Sequence, residues 1–457
     1  MSRSVTITGV GLATALGAGL DATWEGLRTG RSAVTAVAAP EGLYPGQGPV
    51  PAAALSDDLA DVSAFGRRRL RALSRESLLV SRAGLLAWQD AGLDAGGAPA
   101  PEDLGVVLGT AGAGLTGYLQ VLHDGLTLGV DLVSPYAGPQ GSLNAAVSDL
   151  AIAADAEGPV VTVTAGRCSG AEALMVAADL VRTDQAEVVL VAAVDVLDPL
   201  RLAGADTGAG TGTGAGTGTD AGTDTGASAG KGAVDRGADG RSARLPRPFA
   251  HDRTGPLPGE AVVVLVVEDA GRARGRGARI HAEVAAVSTA LGVPGDTDGE
   301  AAARAVDTAL AAAGLTPGTV GLVCSSADGS GPVDRAEAHA LSKTFGADTP
   351  VFTACAAVGD CAGATPLLQV ALAVRALQDG VTPATAGLAD WDPALPRLAV
   401  SDAPQRLPAA TAALVLTTDE RPGASAVVLR IPRRDPCPQR THERPGPATA
   451  TGLGGRK

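Results

Sequence analysis

The sequence predicts an α/β layered fold built from two comparable halves. Apolar segments of strand length alternate with longer segments of helical periodicity, and the second half of the chain repeats the plan of the first. This alternation favours helices packed in layers on sheets. With 457 residues, of which 45% are hydrophobic, the chain can bury a large core, and because only 2% are aromatic that core must consist of Ala, Val and Leu.

The elements of the first half follow from local periodicity. Ser4–Thr8 is predicted to be a strand that enters a glycine turn, and Val188–Val194 is apolar throughout, as central strands of covered sheets are. Val160–Thr164 is a β-branched run, which predicts a buried strand. The other predicted elements are a strand at Leu104–Leu108 and helices at Leu20–Thr29, Arg71–Gly92, Tyr118–Asp124 and Ala171–Arg182.

A change of composition separates the two halves. Residues 203–230 are almost entirely Gly, Thr, Ala and Asp, so they offer little apolar surface to offset the entropy of ordering. We interpret 204–245 as a disordered insertion of the N-terminal half (1–268), more a neutral expansion than a functional module. After the C-terminal half (269–431), the aperiodic tail 432–457 is also predicted to be disordered. The predicted elements beyond the insertion are strands at Ala261–Glu268, Ala278–Ser288, Val320–Ser325, Ala412–Leu416 and Ser425–Ile431 and helices at Gly299–Gly314, Arg335–Phe345 and Thr365–Gly380.

Charge and cysteine usage exclude several classes of function. The net charge of −13 argues against nucleic acid as a partner, because phosphate binding needs clustered Lys and Arg. One basic cluster, Arg67–Arg69 with Arg71, is a candidate contact for an acidic protein or simply a solvated helix face. Five widely spaced cysteines indicate neither a disulfide framework nor a metal site. The N-terminus is unlike a signal peptide and no apolar run reaches membrane-spanning length, so we expect a cytoplasmic protein.

Three segments in the right order carry a family resemblance. Val5–Gly17 reads VTITGVGLATALG, Arg247–Glu260 reads RPFAHDRTGPLPGE, and Ala270–Val284 reads AGRARGRGARIHAEV. Together they resemble the β-ketoacyl synthases over nearly all of the chain from Ser4 to Arg430, the insertion excepted. The resemblance implies the thiolase-like fold, with two βαβαβαββ halves in a five-layered α-β-α-β-α arrangement, and a dimer.

The catalytic positions of that family are vacated here. Condensing enzymes hold the acyl chain on a cysteine thiolate at a helix N-terminus, where the helix dipole lowers the thiol pKa. In Gly158–Gly170, GPVVTVTAGRCSG, that position falls on Arg167, and Cys168 lies one residue late, so we expect it to point away from the substrate tunnel. One catalytic histidine corresponds to Ser326 or Ala327 and the other to Asp360, where the family's lysine is also absent. The glycine gate, whose amide completes the oxyanion hole, corresponds to Asp419–Pro422.

The histidine positions agree with these losses. The chain has five histidines, and none stands in the sequence context of a condensing enzyme: His123, His251, His281, His339 and His442.

The pattern of replacement resembles the chain-length factors, the non-condensing partners of ketosynthases in type II polyketide synthases. Ala327–Leu341, ADGSGPVDRAEAHAL, is close to the loop and helix of that subfamily, and Ala413–Arg430 matches its closing strands. This likeness implies a heterodimer with a catalytic ketosynthase subunit that acts on phosphopantetheine-linked acyl chains of an acyl carrier protein, with no metal or cofactor bound by this chain. It also implies that four residues project into the partner's tunnel and limit product length: Leu115, Thr116, Tyr118 and Leu119. The alternative for these four is ordinary packing at the dimer interface.

Arg167 departs from the subfamily, which carries glutamine there, so any activity ascribed to that glutamine does not transfer. Two interpretations of Arg167 stay open. In the first it forms an ion pair with Asp360 or Asp328 in the vacated pocket or closes the tunnel mouth, and in the second it is a solvent-reaching side chain that fills space. Asp334 and Glu337 are expected to help cap the helix that follows them.

Two other functions remain as alternatives. One is a divergent ketosynthase or acyltransferase that uses Cys168 as nucleophile, for which no general base accompanies the thiol. The other is a non-catalytic scaffold without influence on the product.

Overall fold

The computed structural model describes residues 3–38, 49–56, 73–135, 137–206, 245–293, 299–388, 390–408, 412–421 and 423–431. The strands in this part of the chain are β1 Val5–Thr14, β2 Gly17–Ala18, β3 Thr35–Val37, β4 Val50–Ala52, β5 Leu104–Gly109, β6 Val160–Val163, β7 Val188–Asp195, β8 Ala261–Asp269, β9 Ala282–Leu291, β10 Val320–Ser325, β11 Pro350–Phe352, β12 Val381–Thr382, β13 Ala399–Val400, β14 Gln405–Arg406, β15 Ala412–Asp419 and β16 Gly423–Arg430.

Helices connect most of these strands. The described α-helices are α1 Gly19–Arg28, α2 Arg75–Asp90, α3 Leu115–Thr127, α4 Ala137–Gln140, α5 Ala145–Ala154, α6 Ser169–Arg182, α7 Pro199–Asp206, α8 Ala270–Gly275, α9 Glu300–Ala313, α10 Gly331–Phe345, α11 Cys355–Val358 and α12 Thr365–Asp379. No helix within the described ranges is long and apolar enough to cross a membrane.

The sheet shows the duplication that the sequence predicts. In the N-terminal half the strand order is β6-β5-β7-β8-β1, and in the C-terminal half it is β11-β10-β15-β16-β9. The first three strands of each set are mutually parallel and the last two pair antiparallel. The two sets meet where β1 pairs with β9, through Thr6 with Glu283 and Ile7 with Ala282. Equivalent strands therefore occupy equivalent places in two related halves.

The helices complete five layers. Helices α6 and α12 pack against each other between the two halves of the sheet, and they share the largest apolar core with both. On the outer face of the N-terminal half, α2 and α5 form a second core, and α9 and α10 form a third on the C-terminal half. Nearly all members of these cores are Ala, Val and Leu, as the composition requires. The predicted thiolase-like α-β-α-β-α fold is confirmed.

Two glycines of β1 explain how closely the outer helix α2 approaches the sheet. A Cβ atom at Gly9 would lie 2.2 Å from the carbonyl oxygen of Ala87, and one at Gly11 would lie 2.0 Å from that of Ala83. Any larger residue would therefore push the helix off the strand. The two glycines of GVG in the first motif are therefore required for helix α2 to pack against β1.

Several predicted elements differ in the structure. The run at Val160–Thr164 is a strand but is not buried: Val160 is 44% exposed, because the strand order places β6 at the end of the sheet. The strand predicted from Ala278 begins only at Ala282. Helix α10 begins at Gly331 rather than at Arg335, since the Ser330 side chain accepts a hydrogen bond from the amide of Val333 and ends the loop earlier.

Three predictions fall mainly or wholly outside the described residues. They concern the basic cluster at Arg67–Arg69 and Arg71, the tail 432–457 with His442, and the insertion 204–245, of which the structure describes the end of α7 up to Asp206 and Leu245. The domain boundary at 268 stays a prediction.

Candidate functional site

The candidate site forms where loops from both halves meet at the carboxyl ends of parallel strands. Arg167 lies in the turn between β6 and α6, and Ser326–Asp328 follow directly after β10. Asp360 comes from the loop that follows β11 and α11, and Thr418 and Asp419 end β15. Within each half the parallel strands end at one edge of the sheet. Helices α6 and α12 pack against each other between the halves, so these segments converge although up to 252 positions separate them in sequence.

Arg167 occupies the centre of this convergence. Its side chain is 6% exposed, and it forms ion pairs with Asp360 at 3.2 Å and with Asp328 at 3.1 Å. The guanidinium also donates to the carbonyl oxygens of Thr418, at 2.9 Å, and Ser326, at 3.0 Å. The ion-pair interpretation is confirmed with both candidate carboxylates, and the solvent-reaching one is wrong.

The electrostatics keep this arginine charged. Burial alone would lower the pKa of Arg167, but the carboxylates of Asp360 and Asp328 raise it well above its ordinary value. For Asp328, burial raises the pKa of the carboxyl and Arg167 acts against that shift. The charges are thus mutually dependent: a buried arginine stays favourable because it is paired and hydrogen-bonded, and each carboxylate needs it in turn.

Asp419, at the end of β15, contacts the turn that carries Arg167. One carboxylate oxygen of Asp419 accepts a hydrogen bond from the backbone amide of Arg167 at 2.9 Å. The same oxygen lies 2.2 Å from where a Cβ of Gly166 would be, and Gly166 has a positive φ of 56°. Oxyanions in acyl transfer bind to free backbone amides. The Asp419 carboxylate occupies the Arg167 amide, so this amide cannot bind an oxyanion.

Cys168 is buried beside the cluster. It is 5% exposed, and its Sγ lies 3.8 Å from the carbonyl oxygen of Thr417 on β15. Burial raises the pKa of the Cys168 thiol to about 12, and the charges of Asp419 and Glu172 add to the effect. The position before α6 would favour a thiolate, but burial outweighs it here. The thiol therefore remains protonated near neutral pH.

Ser326 and Ala327, which the family resemblance aligns with a catalytic histidine, are fully buried. The hydroxyl of Ser326 donates to Glu337 at 2.5 Å and accepts from the amide of Thr418 at 3.0 Å. Its backbone amide also donates to Glu337, at 3.0 Å. Burial raises the pKa of Glu337, while hydrogen bonds from the hydroxyls of Ser325 and Ser326 act against the shift. Neither residue offers a free base or a group aimed at a substrate.

Asp334 and Glu337 are structural, as expected, but they do not cap helix α10. Ser330 provides that cap. Asp334 accepts hydrogen bonds from the amides of Asp328 and Gly329, both at 3.1 Å, and from the amide of Phe249 at 2.6 Å. Burial raises the pKa of Asp334 to about 8, with the charge of Asp328 adding to it. Both carboxyls hold the loop that carries Asp328, a role that the sequence pattern of the loop did not reveal.

Among the described residues, no histidine contacts Arg167. His281, 5% exposed, bonds Asp90 at 2.8 Å through Nε2, where β9 begins beside the end of α2. His123 lies on α3, His251 in the loop before β8, and His339 within α10. The described part of the chain also contains no group of three or more His, Cys, Asp or Glu that could hold a metal ion.

The predicted tunnel residues lie on α3, whose apolar surface is unusual. None of its 13 residues is fully buried, and exposed side chains continue past its end. Tyr118 is 52% exposed and Leu126 86%, whereas Leu115 and Leu119 are half-buried and Thr116 is exposed. We call the exposed set the α3 surface: Tyr118, Leu122, Leu126, Leu128, Val130 and Leu132. Whether the residues at 115–119 reach a partner's tunnel stays a prediction.

Comparisons with known proteins agree with the fold of the chain. Residues 2–273 match the family described as beta-ketoacyl synthase, N-terminal domain, and residues 281–389 match beta-ketoacyl synthase, C-terminal domain. The oxytetracycline polyketide putative beta-ketoacyl synthase 1 of Streptomyces rimosus is 30% identical over 407 residues, which cover 86% of this chain and 89% of that protein.

Two solved structures have the same fold. A beta-ketoacyl synthase from Burkholderia phymatum STM815 superposes with a TM-score of 0.81 at 24% identity, covering 95% of this chain and all of the other. The ishigamide ketosynthase/chain length factor superposes with a TM-score of 0.78 at 21% identity, covering 94% of this chain and 100% of the other.

Proposed function

The chain belongs to the β-ketoacyl synthase family, and from that premise we propose that it is a non-condensing chain-length factor of type II polyketide biosynthesis. It pairs with a catalytic ketosynthase subunit and shapes the tunnel in which the acyl chain grows. The observation that carries this proposal is the buried cluster of Arg167, Asp328 and Asp360, which fills the place of the nucleophile and its bases.

The chemistry of the site supports a role without condensation. Acyl transfer needs a thiolate, a proton acceptor within reach, and free amides for the oxyanion. Two thiols lie close to the cluster, and burial raises the pKa of Cys168 to about 12 and that of Cys355 well above its ordinary value. The Arg167 amide is bound by Asp419. These features also weigh against the alternative of a divergent synthase or acyltransferase that uses Cys168.

Exposed apolar surface supports a partner subunit. Two exposed apolar features are the α3 surface and Val160 at the sheet edge. Helix α5 lies between them in the chain and contacts β6. Monomeric proteins rarely leave large apolar patches exposed, and an open strand edge is a ready site for pairing with another chain. The partner we propose is a ketosynthase, because the name of the ishigamide structure pairs a ketosynthase with a chain length factor.

In this proposal the growing chain remains on the partner and on an acyl carrier protein. Phosphopantetheine-linked intermediates are handled through the catalytic subunit, and this chain binds no cofactor of its own. Its contribution is steric, through Leu115, Thr116, Tyr118 and Leu119 at the start of α3.

The test is reconstitution with a catalytic type II ketosynthase subunit and its acyl carrier protein. The pair is expected to make polyketide, and Cys168→Ala in this chain is expected to leave the rate within about twofold because the thiol takes no part. Loss of product in that variant would overturn the proposal and favour the catalytic alternative.

A second variant separates a chain-length factor from a scaffold. Thr116→Phe adds bulk at the start of α3 and is expected to shorten the product. Thr127→Phe, at the other end of the same helix and also exposed, is the matched control and should leave product length unchanged. Unchanged length in both variants would favour the scaffold.

A further inference from the structure

We propose that Asp195 is a positioning residue for product length, because it fixes the loop 110–114 from which α3 begins. The inference rests on the proposed function. It assigns a role to a buried carboxylate outside the Arg167 cluster, and it predicts that product length depends on a residue that touches neither the acyl chain nor the partner.

Asp195 is the last residue of β7 and is 3% exposed. Its carboxylate accepts hydrogen bonds from the hydroxyl of Thr110 at 3.0 Å, from the amide of Ala111 at 3.0 Å and from the amide of Gly112 at 2.8 Å. All of these donors belong to the segment that leaves β5. One side chain thus binds three consecutive residues of the loop.

The remaining amides of the loop are bound by side chains as well. The amide of Ala113 donates to the hydroxyl oxygen of Thr110 at 2.8 Å, and Asp195 orients that hydroxyl. The amide of Gly114 donates to Glu76 of α2 at 3.2 Å. Four successive backbone amides, 111–114, therefore have side-chain acceptors, and three of these four bonds depend on Asp195 directly or through Thr110.

Close packing adds to the hydrogen bonds that hold the amides of residues 111–114. A Cβ atom at Gly363, from the C-terminal half, would lie 2.8 Å from the amide nitrogen of Ala111 and 2.8 Å from Asp195. Gly114 has a φ of 81°, and a Cβ there would lie 2.7 Å from the carbonyl oxygen of Ser142. The loop is held from several sides, whereas no residue of α3 beyond it is fully buried.

The position of the first turns of α3 therefore depends on the loop 110–114. Leu115, Thr116 and Leu119 lie in its first turns, so they move with the loop. Binding constellations need their groups held within about 0.5 Å, and rigid supporting residues provide that precision. Relaxing the loop would shift the first turns relative to the partner while the core of the chain remains folded.

The experiment compares Asp195→Ala with Asp198→Ala in the reconstituted pair. Asp198 is a matched control: it is also 3% exposed, lies three residues further on, and binds the amides of Leu200 and Arg201 instead of the loop. We expect Asp195→Ala to reduce the share of the wild-type-length product at least twofold and to broaden the distribution. Asp198→Ala should leave the distribution unchanged.

A second measurement follows the loop itself in the same complexes. Hydrogen exchange of the peptide that spans 110–115 is expected to accelerate at least tenfold in Asp195→Ala and to stay within about twofold of wild type in Asp198→Ala. Asp195→Asn retains one acceptor oxygen and should lie between Asp195→Ala and wild type in both measurements; it also serves as the test if the alanine variant does not fold.

Three outcomes distinguish the inference from the function on which it rests. If the wild-type pair makes no product, or loses it on Cys168→Ala, the proposed function fails. If Thr116→Phe shortens the product but the Asp195 variants give the wild-type product distribution, this inference fails alone. Accelerated exchange with an unchanged distribution also overturns it, because the loop then does not control length.

Discussion

Replacing Arg167 by methionine tests the interpretation of the central cluster. The change keeps an unbranched side chain in the same space but removes the guanidinium. It leaves Asp328 and Asp360 buried without their cation, at 3% and 6% side-chain exposure. It also leaves the carbonyl oxygens of Thr418 and Ser326 without their donor.

The expected loss follows from these contacts. Removing one partner of a buried ion pair costs about 3–5 kcal/mol, because the remaining charge stays uncompensated. For a large domain each kcal/mol shifts Tm by about 2 °C, so thermal unfolding should shift down by about 6–10 °C. Arg182→Met is the control: that side chain is 29% exposed, pairs with Asp179 on the surface, and should cost no more than about 1 kcal/mol.

The stability deficit of Arg167→Met is expected to depend on pH. Burial raises the pKa of Asp328 in the folded protein, and without Arg167 that pKa rises further. A carboxyl with a raised folded-state pKa loses stability as pH increases, so the deficit of Arg167→Met should widen from pH 5 to pH 8. For one carboxyl the slope is at most about 1.4 kcal/mol per pH unit.

A compensated variant completes the test. Arg167→Met combined with Asp328→Asn and Asp360→Asn removes all three charges together and should recover more than half of the loss, since neutral replacement of a whole buried ion cluster is often tolerated. The reasoning is refuted if Arg167→Met costs less than about 1 kcal/mol, or if its deficit does not depend on pH.

Three further outcomes are expected. With a pKa of about 12, Cys168 should react with iodoacetamide at pH 8 about a thousandfold more slowly than a free thiol until the protein is unfolded; labelling at the ordinary rate in the native protein would contradict its burial. Leu126→Glu on the α3 surface should weaken binding of the ketosynthase partner at least tenfold by titration, whereas Val293→Glu, also an exposed apolar position, should not. Burial opposes ionisation of Asp90, but the hydrogen bond and charge of His281 lower the pKa of Asp90 below its ordinary value. The stability that wild type has over Asp90→Asn should therefore be lost as pH falls from about 5 towards 3, which denaturant titrations at each pH would measure.

Some features of the site were open to sequence reasoning and others were not. Arg167 at the cysteine position and Asp360 at a histidine position could be read by aligning motifs, and the cost of burying an unpaired arginine suggested Asp360 or Asp328 as its partner. The carboxylate of Asp419 on the Arg167 amide and the binding of Ser326 by Glu337 were not foreseen. Neither contact leaves a periodic or spacing signal in the chain.

The exposed strand at β6 shows a second limit. A β-branched run such as Val160–Val163 has the same composition whether it lies at the centre or at the edge of a sheet. Only the strand order places it at the edge, where Val160 remains 44% exposed. The loop 110–114 is a comparable case, since small residues in sequence do not disclose that Asp195 and Glu76 bind their amides.

The sequence by itself determined the layered fold and its duplication, because these depend on local periodicity, and it named the residue at each motif position. Tertiary structure decided which contacts those residues make. Arg167 is stable because two carboxylates, 161 and 193 positions away in the chain (328 − 167 and 360 − 167), reach it from loops of the other half. Pairing of buried charges depends on distance in space, and that distance is set only when both halves of the sheet are in place.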